Sequence, residues 1–431
     1  MSRWLISLLV SLLASVTAVV DAAGAVLPAA AAPTGAAPLR VSVLTVDAGR
    51  EIFELEGHTA LRLCREGVYD VVVNWGVFDF RSPNFVYRFT RGDAEYFCVS
   101  YPFEVFVDDY RREGRRVVEQ RLALTPGQAA RVEALVRENL KPCNASYRYN
   151  YIGDNCATRP LGIVKAAVGD SLSVTPPADF AYGHTGLSES DFTDRERITF
   201  RREMARYHRN YPWYQFGIDL ALGAGVDVEA DGEARAFAPL YLRAWLDGAR
   251  VGERKLVASE DVVVDGVPGG VSLAATPWYA GPMAVSIYLL VLCVIVTVAD
   301  WRRRMLSRWF DTTLYGVFAV AGCVLTFLIF VSVHEATSPN WLYLWLNPLC
   351  IIPAVGVWIK SCKRVVYYYQ FCNFAALVVL LCGHTFMGQA LNSAFPVLIA
   401  CDLMRSLTYI HLYKAEKKRQ ITKCPKTVTY V

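Results

Sequence analysis

A chain of 431 residues with 54 % hydrophobic content is long enough for two domains and too apolar for an ordinary soluble protein. Its net charge is only +4, and its basic residues stand beside apolar runs, a placement that follows membrane topology rather than nucleic-acid binding. Twelve cysteines include no CxxC pair, which removes the common zinc spacing, and no metal or other cofactor is expected.

In chain order, Met1–Ala25 has one basic residue, Arg3, an apolar core from Trp4 to Val20 and small residues at its end, the layout of a cleavable signal peptide. An Ala/Pro-rich spacer, residues 26–39, follows. From Arg40 to about Gly67 apolar and polar residues alternate. Val71–Phe80 alternates again after a turn at Arg65–Gly67, so a β-hairpin is predicted. Tyr110–Leu140 is predicted to be helical, with Thr125-Pro126 opening an amphipathic run through Ala130, Val132, Leu135 and Leu140. A polar loop, Lys141–Asp154, leads to a second helical stretch near Cys156–Val168. Residues 40–175 therefore read as an α+β domain, and 176–276, with its turn signals, as an accessory region.

Residues 277–411 read as an all-α transmembrane bundle of about five helices. Apolar runs cover about Pro282–Val298, Thr313–Val333, Leu342–Ile359, Tyr367–Phe386 and Gln389–Tyr409, each near the ~20 residues that span a bilayer core. Arg302-Arg303-Arg304 with Arg308, then Lys360–Arg364, then the basic tail 412–431 occupy alternate connections, which the positive-inside rule places in the cytoplasm. The loops around His334–Trp341 and His384–Gly388 then face the side to which a signal peptide delivers the N-terminal half.

Chemistry is concentrated in two short runs. His58 sits in Glu56-Gly57-His58-Thr59-Ala60-Leu61, and Cys156 in Gly153-Asp154-Asn155-Cys156-Ala157-Thr158-Arg159-Pro160. A helix beginning at Asp154 or Asn155 puts Cys156 in its first turn, where free amides and the helix dipole favour a thiolate. A histidine on a neighbouring strand completes a thiolate–imidazolium pair. The returning strand of the hairpin passes His58 near Asn74-Trp75, and Asn74 is the better candidate to orient the imidazole, although a one-residue slip in register reverses its face. A cysteine in an exported domain is also commonly half of a disulfide, with Cys98 or Cys143 as partner.

The order His-then-Cys, with Asn-Cys at a helix start, resembles the permuted papain-like fold of the NlpC/P60 and lecithin:retinol acyltransferase superfamily. More specifically, Gly57–Arg62, Asn74–Phe80, Tyr101-Pro102-Phe103, Asp154–Arg159, Trp213–Gly223 and Leu346-Asn347-Pro348-Leu349 resemble the Lnb-type lipoprotein N-acyltransferases. Trp75 stands where that family's second motif has Tyr, which keeps the aromatic character. The resemblance implies an α+β, NlpC/P60-like extracytoplasmic domain followed by transmembrane helices, in a bacterial inner membrane with the catalytic domain on the periplasmic side. It also implies a thiol-dependent acyltransferase. The donor it implies is a phospholipid acyl chain, and the implied acceptor is the α-amine of the lipidated N-terminal cysteine of diacylglyceryl lipoproteins. Cys156 is carried over as nucleophile and His58 as base, with Asn74 the candidate third member; Arg159 and Asp219 enter as motif members on the substrate-binding side.

Polar residues near the bilayer complete the candidates. His334, His384 and Gln389 fall together on the outer side, where they either position a lipid headgroup or hydrogen-bond helices together. Asp402 and Arg405, one helical turn apart, are expected to pair with each other. Two further functional readings fit the same residues: a membrane-anchored thiol hydrolase, and a non-catalytic receptor with a disulfide-bonded domain.

Overall fold

The computed structural model describes residues 27, 37–191, 197–271 and 274–423, so the signal-peptide assignment, most of the spacer and the end of the basic tail lie outside it. Two compact units emerge: residues 1–210 with 229–274, and residues 211–228 with 275–431.

The first unit is built on a seven-stranded antiparallel sheet. Its strands are β1 (Arg40–Val46), β2 (His58–Arg65), β3 (Tyr69–Val77), β4 (Glu95–Pro102), β5 (Val117–Leu122), β6 (Ser146–Arg148) and β10 (Val257–Val264), in the order β10-β5-β1-β2-β3-β4-β6. A small second sheet holds β7 (Leu172–Val174), β8 (Ala249–Val251) and β9 (Arg254–Lys255). The helices are α1 (Phe85–Arg91), α2 (Phe103–Glu113), α3 (Pro126–Asn139), the single turn α4 (Pro142–Ala145), α5 (Thr158–Val168), α6 (Phe200–Tyr207) and, after a segment belonging to the second unit, α8 (Pro239–Asp247). The predicted hairpin is β2–β3, in a register that sets Ala60 opposite Asn74. Side chains alternate along a strand, so His58, Ala60 and Asn74 share one face. That face is covered by α2: Leu44, Val46, Ala60 and Val72 pack against Phe106 and Val107, and each of these burials except that of Ala60 contributes roughly 1.5–3 kcal/mol.

Tyr110–Leu140 is not one helix. Val117 and Val118 are fully buried in β5, which pairs with both β1 and β10, so sheet pairing overrides the helical pattern there. Helix α3 starts where expected. Thr125 Oγ1 accepts from Gln128 N at 3.2 Å while Gln128 Oε1 accepts from Thr125 N at 2.9 Å, and Pro126 occupies the first turn.

The accessory region 176–276 also divides differently. Strand β10 completes the main sheet by covering β5, and residues 211–228, including α7 (Pro212–Ala221), cluster with the membrane helices. Phe216 and Phe395 rings meet at 5.0 Å, and Gly223 N donates to Ala336 O at 2.8 Å.

Among its described residues the second unit contains four helices long and apolar enough to cross a membrane: α9 (Pro282–Arg303), α10 (Arg308–Phe330), α12 (Lys363–Gly383) and α13 (Phe395–Lys423). The remaining expected span, Leu342–Ile359, is a shorter apolar segment, Trp341–Gly356, broken before α11 (Ile351–Gly356). The break has a local cause: Pro348 has no N–H, and the Asn347 side chain accepts from Leu349 N at 3.1 Å, starting a new turn. The segment is nevertheless central, with Leu342, Trp345, Leu346, Cys350 and Ala354 buried. A Cβ on Gly322 of α10 would lie 2.3 Å from the Asn347 carbonyl carbon, so only glycine permits this approach.

Arg405 does not pair with Asp402. Its guanidinium bridges Asp300 at 2.7 Å and Asp311 at 2.6 Å on two other helices, all three residues being buried. Asp402 instead accepts from Tyr315 Oη at 2.9 Å and Asn373 Nδ2 at 2.8 Å. A planar fork that satisfies two carboxylates at once outcompetes a single neighbour along the helix.

Candidate active site

Residue 57 must be glycine for His58 to enter β2 opposite Val46: its φ is +85°, and a Cβ there would come within 2.5 Å of Val46 O. Asn74 is buried on the neighbouring strand, and its Oδ1 lies 2.7 Å from His58 Nε2. The Asn74 amide in turn donates to Tyr101 Oη. With the amide so oriented, Nε2–H of His58 donates to Asn74, and Nδ1 is left as the basic nitrogen.

Cys156 arrives on a loop closed by the Asn150–Asp154 bridge. Asn155 builds the turn: Oδ1 accepts from Ala157 N at 2.8 Å and Thr158 N at 2.9 Å, while Nδ2 donates to Tyr151 O and Phe237 O. The capping role expected of Asn155 is present, but α5 begins at Thr158, so Cys156 precedes the helix rather than lying in its first turn. At Gly76, where φ is +86°, a Cβ would stand 3.2 Å from the Tyr149 ring and 3.8 Å from Cys156 Cβ, so the cysteine lies directly over the irregular end of β3.

These surroundings favour neutral forms. His58 and Cys156 are each partly exposed, yet enough protein encloses them for desolvation to dominate. Burial lowers His58 to about 4, against the opposing effect of the Asn74 hydrogen bond and with a further push from the Arg115 cation. Burial raises Cys156 to about 11, and the nearby Glu56 carboxylate adds to the rise. The backbone N–H groups of Thr59 and of Cys156 itself, and Arg115, act the other way. The resting pair is thus thiol and imidazole, not the ion pair expected from a helix-start cysteine. Cys64, Cys98, Cys143 and Cys156 are all free thiols. Among the described residues, no three His, Cys, Asp or Glu side chains group to hold a metal ion.

Residues 34–196 match the family model of the Lnb N-terminal periplasmic domain, and residues 274–417 match that of the Lnb transmembrane domain. The chain belongs to the Lnb family. No curated protein and no solved structure matches it.

Other parts of the candidate site in this Lnb protein have no local signature in the sequence. Glu56 is buried, and its Oε1 accepts from His208 Nε2 at 2.9 Å and from Tyr151 Oη, tying the start of the His58 strand to the Cys156 loop and to the end of α6. Arg115, buried beside Tyr110, is held by Asp47 O at 2.9 Å and Glu54 at 2.7 Å. Glu56 stands two residues from His58, but its partners are 95 and 152 positions away, so no local pattern could announce them.

Arg159 pairs with Asp154 through Nε and Nη2 and lies 3.6 Å from the centre of the Tyr147 ring, bracing the Cys156 loop. Asp219 belongs to the second unit, where it is buried and accepts from Gln215 Nε2 at 2.8 Å and Asn392 Nδ2 at 2.7 Å. Gln389, buried in the same unit, accepts from Trp341 N at 2.7 Å and donates to Asn340 Oδ1 at 3.0 Å. His384 follows directly on α12, where its N–H donates to Leu380 O, and His334 O accepts from Thr337 N and Oγ1.

Proposed function

We propose that this protein is a membrane-bound acyltransferase that moves a phospholipid acyl chain, through a thioester on Cys156, to the α-amine of the lipidated N-terminal cysteine of bacterial lipoproteins. The observation that carries the reading is the 2.7 Å His58–Asn74 hydrogen bond, which presents a neutral base in the same domain as a free, enclosed thiol. Membership of a family that joins a periplasmic domain to membrane helices supports substrates held in a bilayer.

In this mechanism His58 Nδ1 takes the Cys156 proton as the sulfur attacks the ester carbonyl, because neither group ionises alone near neutral pH. The backbone N–H groups of Thr59 and Cys156, which favour the thiolate at rest, are the donors that stabilise the oxyanion as negative charge passes from the sulfur to the carbonyl oxygen. The imidazolium then protonates the departing lysophospholipid alkoxide. In the second half the lipoprotein amine attacks the thioester, His58 removes the amine proton, and that proton returns to the leaving thiolate. Dividing the transfer in two replaces one difficult ester-to-amide exchange by two easier steps.

The test is mass spectrometry of lipoprotein N-termini in cells with and without the protein, with Cys156→Ser and His58→Ala as controls at equal abundance. Loss of the N-acyl mass in all three defective strains supports the assignment. An unchanged N-terminus rejects it, and release of free fatty acid without amide formation assigns a hydrolase instead.

A further inference from the structure

The first unit carries an apolar surface that a water-facing domain has no use for. Val86, Tyr87 and Phe89 of α1 are 73 %, 50 % and 50 % exposed, and Ile52 and Phe53 in the turn before His58 are 42 % and 48 % exposed. These segments form one surface. Phe53 meets Phe78 at 6.0 Å and Phe80 at 6.4 Å, Phe80 meets Phe85 at 5.0 Å, and Phe85 stacks on Phe89 at 5.9 Å. The same rings continue inward: Phe78 contacts Tyr96 at 5.3 Å, Tyr96 stacks on Tyr149 at 4.6 Å, and Tyr149 lies over Gly76 beside Cys156. An unbroken aromatic path thus leads from the exposed face to the thiol.

From this continuity we propose that α1 and the Ile52–Glu54 turn insert into the surface of a phospholipid bilayer, and that the aromatic path receives the donor's acyl chain and delivers its ester to Cys156. The proposal rests on the acyltransferase reading. Lipid is the occupant favoured by three observations. The surface is contiguous with the thiol that the chain must reach, and the domain is part of a chain with four membrane-length helices among its described residues. The ionic residues at its edge also pair off, Arg81 with Asp79, Arg91 with Asp93 and Arg88 with Glu95, and these solvent-exposed pairs leave no excess charge to recruit a charged partner while they stay at the wet rim of an interfacial apolar face.

The full chain is reconstituted in phosphatidylcholine vesicles with the photo-crosslinking residue p-benzoylphenylalanine in place of Val86. Illumination should attach lipid mass to the peptide carrying position 86. Crosslinks only to protein, whether a second copy or an acceptor lipoprotein, or no lipid adduct at all, overturn the proposal. In parallel, V86E together with F89E should lower Cys156 acylation from vesicle lipid by about tenfold or more, with acylation by a soluble short-chain thioester unchanged. Undiminished acylation from vesicles by the folded variant overturns it; if the variant loses both reactions, the crosslinking result decides. A wild-type protein that takes no adduct on Cys156 from either donor rejects the acyltransferase reading, while the crosslink still reports separately on the surface.

Discussion

Replacing Asn74 by Asp changes one atom group in the hydrogen bond that orients His58, and so tests the base directly. In the wild-type protein burial holds the imidazole at about 4, so the ring stays neutral and competent from about pH 5 upward. The amide oxygen is 2.7 Å from Nε2, which puts a carboxylate charge there about 4 Å from the middle of the imidazolium charge. With an effective dielectric near 20 the attraction is ~4 kcal/mol, or ~3 pKa units, and desolvation of the new carboxylate makes that an upper value. The sign is fixed: a neighbouring anion favours imidazolium, so the acid limb of Cys156 acylation moves up from about 4 toward neutrality. Stopped single-turnover acylation, followed by intact mass between pH 5 and 8.5, should be nearly level across that range for wild type. For Asn74→Asp it should fall by up to ~10-fold between pH 8 and pH 6, with recovery at high pH. A variant profile that overlays the wild type would refute the assignment of His58 as the base.

Alkylation of Cys156 by iodoacetamide should climb continuously from pH 7 to 10, since the thiol lies near 11, and Glu56→Gln should accelerate it by removing a nearby negative charge that opposes thiolate formation; a plateau below pH 8 would show a preformed thiolate. Arg405→Leu leaves Asp300 and Asp311 buried without their cation, a loss of ~3–5 kcal/mol that should show as low membrane abundance, while Arg405→Leu with both aspartates changed to Asn should recover much of it. A reporter active only in the cytoplasm should be silent when fused near Ala275 and active after Lys426; activity at both positions overturns the orientation drawn from the basic loops.

What was legible from residues alone was local or compositional. Chain length, apolar runs and basic loops were enough to separate a globular half from a membrane half, because crossing a bilayer imposes a length and a polarity on consecutive residues. The β2–β3 hairpin and the start of α3 were equally readable, since a turn and a capping box are written within a few positions. His58 and Cys156 could be singled out by their motifs, and Asn74 by its place on the returning strand, though not by its face. Only the folded register decided that face, by setting Ala60 against Asn74 and so aligning the amide with the imidazole. Tertiary structure also decided the ionisation of the pair: a helix-start motif favours thiolate, but enclosure by β2, Gly76 and the Tyr149 loop desolvates the sulfur, and desolvation outweighs the two amides directed at it. The pairing of Arg405 with Asp300 and Asp311 rather than with Asp402 and the Glu56–His208 contact share one physical reason. Each depends on which distant surface a side chain meets, and burial energies between segments far apart in the chain settle that only when the whole chain has packed.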